Sequence, residues 1–457
     1  MRKKIGIIGA GISGLTVGYY LKKAGFEVKI YEAEGSAGGK LKTENRDGYI
    51  IDSGPNTALE TTPLFRELFE ELRIESKVLY ASSTAQNRYI LRAGKLNNLP
   101  MKPMEFLRTG LFSTSAKLRL MMEPFIGRGK KEESVAEFVI RRIGKEFLNY
   151  AINPFVAGVY AGRPERLSVR YAFPKLYRLE EKYGSLIIGS IRGARERKRR
   201  AEKAKIESRI FSFRGGMELF PATLAGVFGK ALTLNAPAKK LFKDGDKYVI
   251  QFENNAVNDE IFDLIILSIP AYDAGTLVAE NAPMLAASLT SIEYPPVAVV
   301  VTMYKENEPG FREKGFGFLV PEIEQRKILG TLWNSYMFED RSPAEYVLFT
   351  TFIGGSRQPE LALQSDEELL EIVTSELKAL MGIQAKPQMV SIKKWSRAIP
   401  QYNLGYGAVV KAIDEFRQAN PGIYFCANYV GGIALGDCIM SARRVADDIM
   451  NLFNSSE

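Results

Sequence analysis

Apolar positions at the start of the chain change their spacing twice within thirty residues. An apolar run, KIGII, leads into the glycine-rich stretch GAGISG, after which apolar residues recur at helical spacing through LTVGYYLKKAG. A second apolar run, EVKIY, then ends at Glu32. These patterns predict a strand, a loop, an amphipathic helix and a second strand in direct succession.

Helical spacing dominates the next part of the chain. One face of the helix predicted over 63–74 carries Leu64, Phe65, Leu68, Phe69 and Leu72. Helical patterns continue to about residue 205, and Ser134 with Glu137 forms a capping box. Residues 211–228 then return to the strand–loop–helix pattern, and 262–271 is typical of a buried strand followed by a turn.

Strand patterns dominate from residue 295. Apolar runs predict strands within 295–305, 326–338, 345–355 and 389–395. A helix that starts at a second capping box, Ser365 with Glu368, lies among them. At the end of the chain the pattern predicts a strand within 422–432 and a helix over 440–453. The glycine-rich motif NYVGGIALGDCI, residues 428–439, leads into that helix.

The composition is that of a globular protein, and it excludes several kinds of chemistry. The 457 residues are 46% hydrophobic and 25% charged, with two cysteines and no histidine. Ser-His-Asp hydrolysis, histidine general-base catalysis, His-ligated metals and a disulfide framework are therefore excluded, and no metal site is predicted. Reactivity must come from Lys, Asp, Glu, Tyr and backbone groups, or from a bound cofactor.

The sequence shows neither of two common export or membrane signals. No uninterrupted apolar run of eighteen residues occurs, so no transmembrane helix is predicted. The opening MRKK and the apolar residues after it have the order of a signal peptide, but their glycines have the spacing of a nucleotide-binding loop. We therefore predict a cytoplasmic protein.

Net charge is +9, and the densest basic run is 191–209. Two interpretations of this run are open: a solvated helix or loop, and a contact with anionic lipid or an acidic substrate. Nucleic acid is not a predicted partner, because no aromatic residues interleave with these charges.

The glycine loop has the spacing of a dinucleotide-binding fingerprint. Gly9 permits a tight turn, Gly11 lets a pyrophosphate approach the backbone, and Gly14 lets the helix pack on the strand. The pyrophosphate would lie at the helix N-terminus. Glu32, at the end of the second strand, is placed to accept hydrogen bonds from a ribose hydroxyl.

A second glycine pair indicates which dinucleotide is bound. EAEGSAGGKLKT places Gly38, Gly39 and Lys40 just after the acid, and DGYIIDSGPNT follows. A nicotinamide domain does not need this pair, whereas the longer, extended FAD needs further close backbone approaches. Here the chain resembles the flavin-dependent amine oxidase superfamily, in which these stretches bind FAD. The alternative interpretation of SAGGK is a flexible turn.

The predicted fold class is α/β: a discontinuous, Rossmann-like FAD-binding domain with a sheet-based substrate domain and a helical insertion. The FAD-binding domain is predicted to comprise 1–62, 206–290 and 418–457. The substrate domain is predicted over 63–82 and 291–417, and the helical, membrane-binding insertion over 83–205.

Several motifs narrow the resemblance to the porphyrinogen oxidases of haem synthesis. They are NPFVAGVYAGRPERLSVRYAF from 153, FSFRGGMELF from 211, WSRAIPQYNLGY from 395 and GIYFCANYVGGIALGDCI from 422. The resemblance covers essentially the whole chain. The chain departs from the family at Arg163, where a small or acidic residue is more common, and at Tyr406, where many members carry histidine.

This resemblance implies the site residues. The implied FAD-binding residues are Gly9, Gly11, Ile12, Ser13, Gly14, Glu32, Gly38, Gly39, Lys40, Gly54, Pro55, Asn56, Ala238, Gly436, Asp437 and Ile439. The N-terminus of the last helix would face the flavin edge on which negative charge accumulates. Asp437 has a second interpretation, as a cap of that helix. The backbone of Gly158 would face the substrate and orient it.

The implied activity is oxidation of a porphyrinogen to the porphyrin, with six hydrogens removed in three rounds and dioxygen as the usual acceptor. Protoporphyrinogen and coproporphyrinogen are not distinguished. Non-covalent FAD is predicted, because the tethered amine oxidases carry a cysteine just after the stretch that corresponds to 395–406, and this chain has none there. The alternatives are an amine or carotenoid oxidase of the same superfamily, or a non-catalytic flavoprotein.

Substrate and partner contacts are predicted in the insertion. Lys102 and Arg170 are candidates to hold the substrate propionates. In 101–122, Phe106, Leu107, Leu111 and Phe112 alternate with Lys102, Arg108 and Lys117, a mixture typical of a segment on the cytoplasmic face of a membrane. The alternative is that these apolar residues pack inside the insertion. A downstream chelatase and a second copy of the chain are further candidate partners.

Overall fold

The structure, a computed structural model, describes residues 3–201, 209–253, 257–307 and 313–454. Part of the basic run 191–209 therefore lies outside the described residues. In chain order, the strands are β1 (Lys4–Ile8), β2 (Glu27–Tyr31), β3 (Thr43–Arg46), β4 (Tyr49–Asp52), β5 (Ala58–Leu59), β6 (Val78–Tyr80), β7 (Arg88–Arg92), β8 (Lys95–Asn98), β9 (Ile210–Phe213), β10 (Leu232–Thr233), β11 (Ala238–Asp244), β12 (Lys247–Phe252), β13 (Glu260–Phe262), β14 (Leu264–Leu267), β15 (Val297–Lys305), β16 (Gly317–Leu319), β17 (Gly330–Trp333), β18 (Tyr346–Gly354), β19 (Met389–Trp395) and β20 (Ile423–Phe425).

The α-helices follow the capping and periodicity signals of the sequence. They are α1 (Ile12–Lys23), α2 (Leu64–Glu71), α3 (Pro103–Arg108), α4 (Thr114–Met121), α5 (Val135–Arg142), α6 (Lys145–Phe147), α7 (Asn153–Tyr160), α8 (Val169–Ala172), α9 (Pro174–Tyr183), α10 (Leu186–Ala201), α11 (Leu219–Gly226), α12 (Ala271–Val278), α13 (Pro283–Thr290), α14 (Asn334–Met337), α15 (Asp366–Met381), α16 (Tyr406–Ala419), α17 (Asn428–Gly431) and α18 (Leu435–Asn454). Both predicted capping boxes form, at the starts of α5 and α15.

A parallel five-stranded sheet, in the order β10-β2-β1-β14-β20, lies at the centre of the nucleotide-binding part. Its strands come from three separated stretches of the chain. Ile5 and Ile7 pack toward α1 and α18, whereas Ile8 and Tyr31 belong to the core cluster on the other side. A parallel sheet is stable only when both faces are covered in this way. The predicted fold class, α/β with a discontinuous Rossmann-like domain, is confirmed.

A mostly antiparallel seven-stranded sheet forms the second large layer, in the order β19-β15-β18-β17-β16-β7-β8. The apolar runs predicted as strands after residue 295 form β15, β17, β18 and β19. Leu369, Val373 and Leu377 of α15 pack against one face of this sheet, and Ala157 and Ala161 at the end of α7 pack against the other. The sheet is therefore buried between helices, and the face toward α7 is the one turned to the candidate site.

The helical insertion predicted over 83–205 differs from the structure at its start. Residues 88–98 form the hairpin β7–β8 at the edge of the seven-stranded sheet. Its turn has Ala93 and Gly94 at φ of 52° and 73°, the backbone geometry that tight hairpins require. The remaining helices, α3 to α10, follow. The exact bounds of the domains stay a prediction.

A buried ionic cluster holds the helical part together. The guanidinium of Arg142, which is fully buried, contacts Glu123 at 3.1 Å and donates from its Nε to Glu180 at 2.8 Å. Glu123 in turn accepts the backbone N–H of Leu186. Removing one partner of a buried pair strands the other charge in the core, so this cluster fixes how α5, α9 and α10 pack.

Candidate functional site

The first glycine loop joins β1 to α1 at the carboxyl edge of the parallel sheet. Gly9 has φ of 101°, and a Cβ there would lie 2.5 Å from the carbonyl oxygen of Ser268. A Cβ on Gly14 would lie 2.1 Å from the carbonyl oxygen of Gly9, whereas one on Gly11 would meet nothing within 4 Å. Gly9 and Gly14 are therefore packed tightly, and Gly11 borders open space at the N-terminus of α1.

The first turn of α1 has free backbone donors. Gly11 is its N-cap and makes no side-chain capping hydrogen bond. Ile12 and Ser13 follow in the first turn, where backbone N–H groups have no intrahelical partner. Such a helix N-terminus, with its positive dipole end, suits a phosphate.

The Glu32 carboxylate lies directly beside this loop. Its two oxygens accept the backbone N–H groups of Ala10, at 2.8 Å, and Glu34, at 3.0 Å. These bonds fix the carboxylate at the end of β2, and each oxygen keeps a lone pair for a further donor. The backbone of 235–236 pairs with that of Glu32 and Glu34, which brings Ala238, the first residue of β11, close to the same edge.

The second glycine pair folds against the first loop. The N–H of Gly38 donates to the carbonyl oxygen of Ala10 at 2.9 Å, and Gly38 forms a parallel bridge with Gly11. Gly38 and Gly39 have φ of 114° and 59°, so this turn has a specific left-handed geometry. The role of this turn in binding FAD stays a prediction.

Lys40 continues from this pair into an open cleft of about 610 Å³. Its ammonium donates to the carbonyl oxygen of Arg397 at 2.8 Å and lies 4.4 Å from the centre of the Trp395 ring. Burial lowers the pKa of Lys40 from its ordinary value. A partly desolvated cation beside two glycine loops favours an anionic ligand in the cleft.

The loop of Gly54, Pro55 and Asn56 links the two layers. A Cβ on Gly54 would lie 1.8 Å from the carbonyl oxygen of Lys40, so the loop presses on the second glycine turn. The Asn56 amide donates to the Gly54 carbonyl at 2.8 Å and accepts from the amide of Asn334. Pro55 is exposed between them. Asn56 therefore shapes the loop with its side chain.

The C-terminal motif forms the start of α18. The predicted helix 440–453 begins earlier, at Leu435, so Gly436 and Asp437 lie in its first turn and Ile439 at the start of the second. The Asp437 carboxylate accepts the backbone N–H of Ala434, and burial raises its pKa. This contact supports the interpretation of Asp437 as a cap. The side chain of Ile439 is fully buried in the core, and Ile439 comes after Cys438, whose backbone N–H already donates to the carbonyl oxygen of Ala434 within the helix.

Both cysteines lie buried near Ser13 and are free thiols. Burial raises the pKa of the Cys438 thiol to about 11 and raises that of Cys426 further. Thiolate is the reactive form of cysteine, so these side chains act as small apolar fillers.

Three apolar positions of the seven-stranded sheet face α7. Leu319, Gly330 and Phe352 are register partners on β16, β17 and β18, and we call these three residues the sheet slot. Leu319 and Phe352 are half-buried, and Gly330 is packed tightly between the strands, since a Cβ there would lie 3.0 Å from the Cδ2 atom of Leu319. Gly158 on α7 faces Leu319, since a Cβ on Gly158 would lie 2.8 Å from its Cδ2 atom. Helix α7 is therefore in close contact with this apolar face of the sheet.

Helix α7 connects the sheet slot to the C-terminal motif. The carbonyl oxygen of Tyr160 accepts from the Gln401 amide at 2.8 Å, and the hydroxyl of Tyr402 donates to the carbonyl oxygen of Asn428. The hydroxyl of Tyr406 donates to the Tyr429 carbonyl oxygen. The C-terminal end of α7 and the segment that leads into α18 are therefore connected through these hydrogen bonds.

The two predicted propionate-binding cations occupy different places. The Lys102 side chain is 77% exposed, with Glu105 3.7 Å away. Arg170 is exposed on α8, where its guanidinium lies 5.7 and 5.8 Å from the rings of Tyr171 and Tyr177. The structure does not bring Lys102 and Arg170 into contact with each other. Their neighbours do not test whether either side chain binds a propionate.

Arg88 is a cation that the sequence patterns did not single out. It pairs in register with Gly317, on the side of the sheet that carries Leu319. Burial lowers its pKa, its Nε is buried without a hydrogen-bond partner, and its guanidinium lies 5.2 Å from the ring of Phe316. Within the described residues it has no carboxylate at ion-pair distance. An unpaired cation beside an apolar slot indicates an anionic ligand.

The predicted interfacial segment divides into a buried and an exposed set. Leu111 and Phe112 are buried, and Phe106 packs against them, so these three follow the alternative interpretation of packing inside the insertion. Leu107 is exposed, together with Met101, Met104, Leu118, Met121, Met122 and Phe125. We call these seven residues the apolar surface of α3 and α4. Among the described residues, no helix is both long and apolar enough to cross a membrane.

Comparison with known proteins identifies the family. The family model for flavin containing amine oxidoreductases matches residues 12–450. The mitochondrial protoporphyrinogen oxidase of Nicotiana tabacum is 37% identical, over 99% of this chain and 96% of the relative. The coproporphyrinogen III oxidase of Bacillus subtilis (strain 168) is 28% identical, over 98% of both chains.

Fold similarity agrees with these matches. A solved structure from Exiguobacterium sp. 255-15 superposes with a TM-score of 0.81 at 22% identity, over 98% of this chain and 99% of the other. The chain therefore belongs to the flavin-containing amine oxidoreductases, on the branch that holds the porphyrinogen oxidases. The resemblance drawn from the motifs is confirmed.

The residues of the site fit the flavin that this family implies. The open space at Gly11, the uncapped N-terminus of α1 and the fixed Glu32 carboxylate suit a dinucleotide. The first turn of α18 has backbone N–H groups without helical partners, which would suit the flavin end of such a ligand.

Proposed function

We propose that this chain binds FAD non-covalently and oxidises a porphyrinogen, protoporphyrinogen or coproporphyrinogen, to the porphyrin with dioxygen as acceptor. The observation that carries the proposal is the apolar contact of Gly158 with the sheet slot, which α7 joins to the C-terminal motif. The similarity to porphyrinogen oxidases over nearly the full chain supports it.

The chain's own groups would hold FAD along one edge. The first turn of α1 would bind the pyrophosphate, Glu32 the ribose, and Lys40 an anionic part of the cofactor. The backbone N–H groups of the first turn of α18 would face the ring edge where negative charge develops. Bound FAD would supply the redox chemistry, taking hydride from the substrate and passing electrons to dioxygen.

The role of the chain toward the substrate is positioning. It contains no histidine, and burial raises the pKa of Asp437, whose carboxylate already accepts a backbone N–H. The protein would hold the macrocycle beside Gly158 while pyrrole protons leave to solvent. The Gly158 carbonyl, near the C-terminal end of α7 where carbonyls lack helical partners, would accept from the pyrrole N–H groups.

Arg88 is proposed as a contact of a substrate propionate, alongside the predicted Lys102 and Arg170. It lies on the slot side of the sheet and is desolvated without a carboxylate partner among the described residues. A propionate would supply the missing charge.

One assay tests the proposed function. The purified protein is incubated aerobically with protoporphyrinogen, coproporphyrinogen, an amine and a carotenoid, and each product is followed by absorbance or fluorescence. We expect catalytic porphyrin formation from a porphyrinogen above the spontaneous rate. Turnover of only the amine or the carotenoid would assign the protein to another reaction, and turnover of none would favour a non-catalytic flavoprotein.

The cofactor part has its own test. Acid precipitation should release intact FAD into the supernatant, since no cysteine follows the stretch 395–406 closely. Flavin that stays with the precipitated chain would contradict non-covalent binding.

We further propose that the protein associates peripherally with the cytoplasmic face of a membrane. The support is the apolar surface of α3 and α4, which exposes Phe125 to 80%, together with the poor solubility of the porphyrin product. That insolubility also motivates direct transfer to a downstream chelatase, and a second copy of the chain remains a further proposed partner.

A further inference from the structure

A short turn after β18 contacts both ends of α7. Gly355 is pressed so closely on α7 that a Cβ there would lie 2.4 Å from the carbonyl oxygen of Ala161. The next N–H, that of Ser356, donates to the same oxygen at 2.7 Å. The turn therefore holds the C-terminal end of α7.

The next residue, Arg357, reaches the other end of α7. Its Nη2 donates to the backbone carbonyl of Asn153 at 2.9 Å and to the Asn153 side-chain oxygen at 2.6 Å. Its Nη1 donates to the carbonyl oxygen of Val320 at 2.7 Å. Val320 directly follows Leu319 of the sheet slot, so one guanidinium connects α7 to the strand end that Gly158 faces.

A second layer fixes this connection. The Asn153 side chain accepts the backbone N–H of Glu322 at 2.9 Å, and the Glu322 carboxylate contacts Arg163. Arg357 itself is half-buried, and burial lowers its pKa to about 10. It therefore stays protonated at neutral pH and can keep all three donated bonds.

We propose that Arg357 is a positioning residue that holds α7 against the end of β16, and thereby sets where the Gly158 backbone meets the macrocycle. This inference rests on the proposed function, because the position of α7 matters for turnover only if the substrate binds beside Gly158. A displacement of about 1 Å at such a surface can lower the rate by up to about a hundredfold.

The test compares Arg357→Met and Arg357→Lys with a matched control, Arg326→Met. Arg326 pairs with Glu376 at 2.7 Å, at α15 on the other side of the same sheet. For Arg357→Met we expect faster hydrogen exchange in α7 and a loss of kcat/KM for the porphyrinogen on the order of tenfold to a hundredfold. Flavin content and spectrum should not change, Arg357→Lys should recover part of the loss, and Arg326→Met should change neither exchange in α7 nor kcat/KM.

Three results would overturn the proposal: unchanged kinetics in Arg357→Met, faster exchange in α7 without a kinetic change, or an equal kinetic loss in Arg326→Met. If Arg357→Met does not fold, Asn153→Ala carries the same test, because it removes the side-chain oxygen that Arg357 binds. A wild-type protein that turns over no porphyrinogen would refute the proposed function instead, and that outcome is visible before any variant is made.

Discussion

The Cα atom of Gly11 lies 3.3 Å from the position that a Cβ on Gly39 would take. The two glycine turns, separated in sequence, therefore face each other at the N-terminus of α1. One consequence is that a side chain at either position would compete directly with a cofactor bound between them.

Gly11→Val tests this site without disturbing the fold. Because a Cβ at Gly11 meets no atom within 4 Å, the variant should keep the wild-type fold by circular dichroism but lose most of its bound flavin, and with it the stabilisation that the bound cofactor adds. The ratio of visible to 280 nm absorbance measures occupancy. Gly110→Val is the matched control, since Gly110 also borders open space, and it should stay yellow. Full flavin occupancy in Gly11→Val would show that the loop assignment is wrong.

Arg88→Met should raise KM for the porphyrinogen by about tenfold, because a charge-assisted hydrogen bond is worth roughly 1.5–3 kcal/mol. Flavin content should stay constant, since the contact is remote from the cofactor. Arg46→Met, at an exposed ion pair with Glu44, is the control. Lys102→Met and Arg170→Met complete the series. If all three variants at predicted contacts keep wild-type kinetics, the propionates are held elsewhere or lie in solvent.

The apolar surface of α3 and α4 predicts flotation with anionic vesicles at low salt. Replacing Met121 and Phe125 by Ser should weaken binding at least tenfold, because each buried large side chain contributes roughly 1.5–3 kcal/mol. Met284→Ser is the control, since Met284 is 84% exposed on α13, outside this surface. Wild-type protein recovered only from the dense fraction would argue against membrane association.

Glu260 predicts a specific loss of stability in acid. Burial acts to raise its pKa, but hydrogen bonds from Lys29, Lys4 and Tyr31 outweigh burial and lower the pKa from 4.5 to about 2. The carboxylate therefore stabilises the fold fully above the unfolded pKa, near 4.5, and the contribution is lost as pH falls toward 2.

The measurement is urea unfolding of wild type and Glu260→Gln between pH 7 and pH 3. The wild type should be more stable at pH 7, and the difference should shrink as the pH falls below about 4.5. Glu27→Gln, at an exposed position on β2, should give no such trend. A difference that grows on acidification would contradict the assigned pKa direction.

Local patterns predicted the strand–loop–helix–strand unit that carries the candidate cofactor residues, whereas their contacts with a cofactor stay a prediction. Gly9, Gly11, Gly14 and Glu32 belong to one strand–helix–strand unit, so their spacing along the sequence determines their arrangement in space. The capping boxes at Ser134 and Ser365 are equally local and both form. The bounds of the domains and the residues that touch substrate stay predictions.

Tertiary context decided the features that the patterns missed. The hairpin β7–β8 turns through Ala93 at positive φ, a geometry that alanine seldom adopts, so no turn signal marked it. Leu111 is buried and Leu107 exposed because short helices fold back on each other, which residue spacing does not encode. Arg88 can be recognised as a candidate substrate contact only in the folded structure, because only there is its side chain seen to be buried with an Nε that lacks a hydrogen-bond partner.

The most direct test of the account is anaerobic reduction of the bound flavin. The purified yellow protein is mixed with excess protoporphyrinogen or coproporphyrinogen without oxygen, and the visible flavin absorbance is followed in a stopped-flow instrument, with an amine and a carotenoid as comparisons. The account predicts that a porphyrinogen bleaches the flavin, and that admitting oxygen restores its absorbance as porphyrin accumulates. A flavin that neither porphyrinogen bleaches, or that only the amine or the carotenoid bleaches, would contradict it.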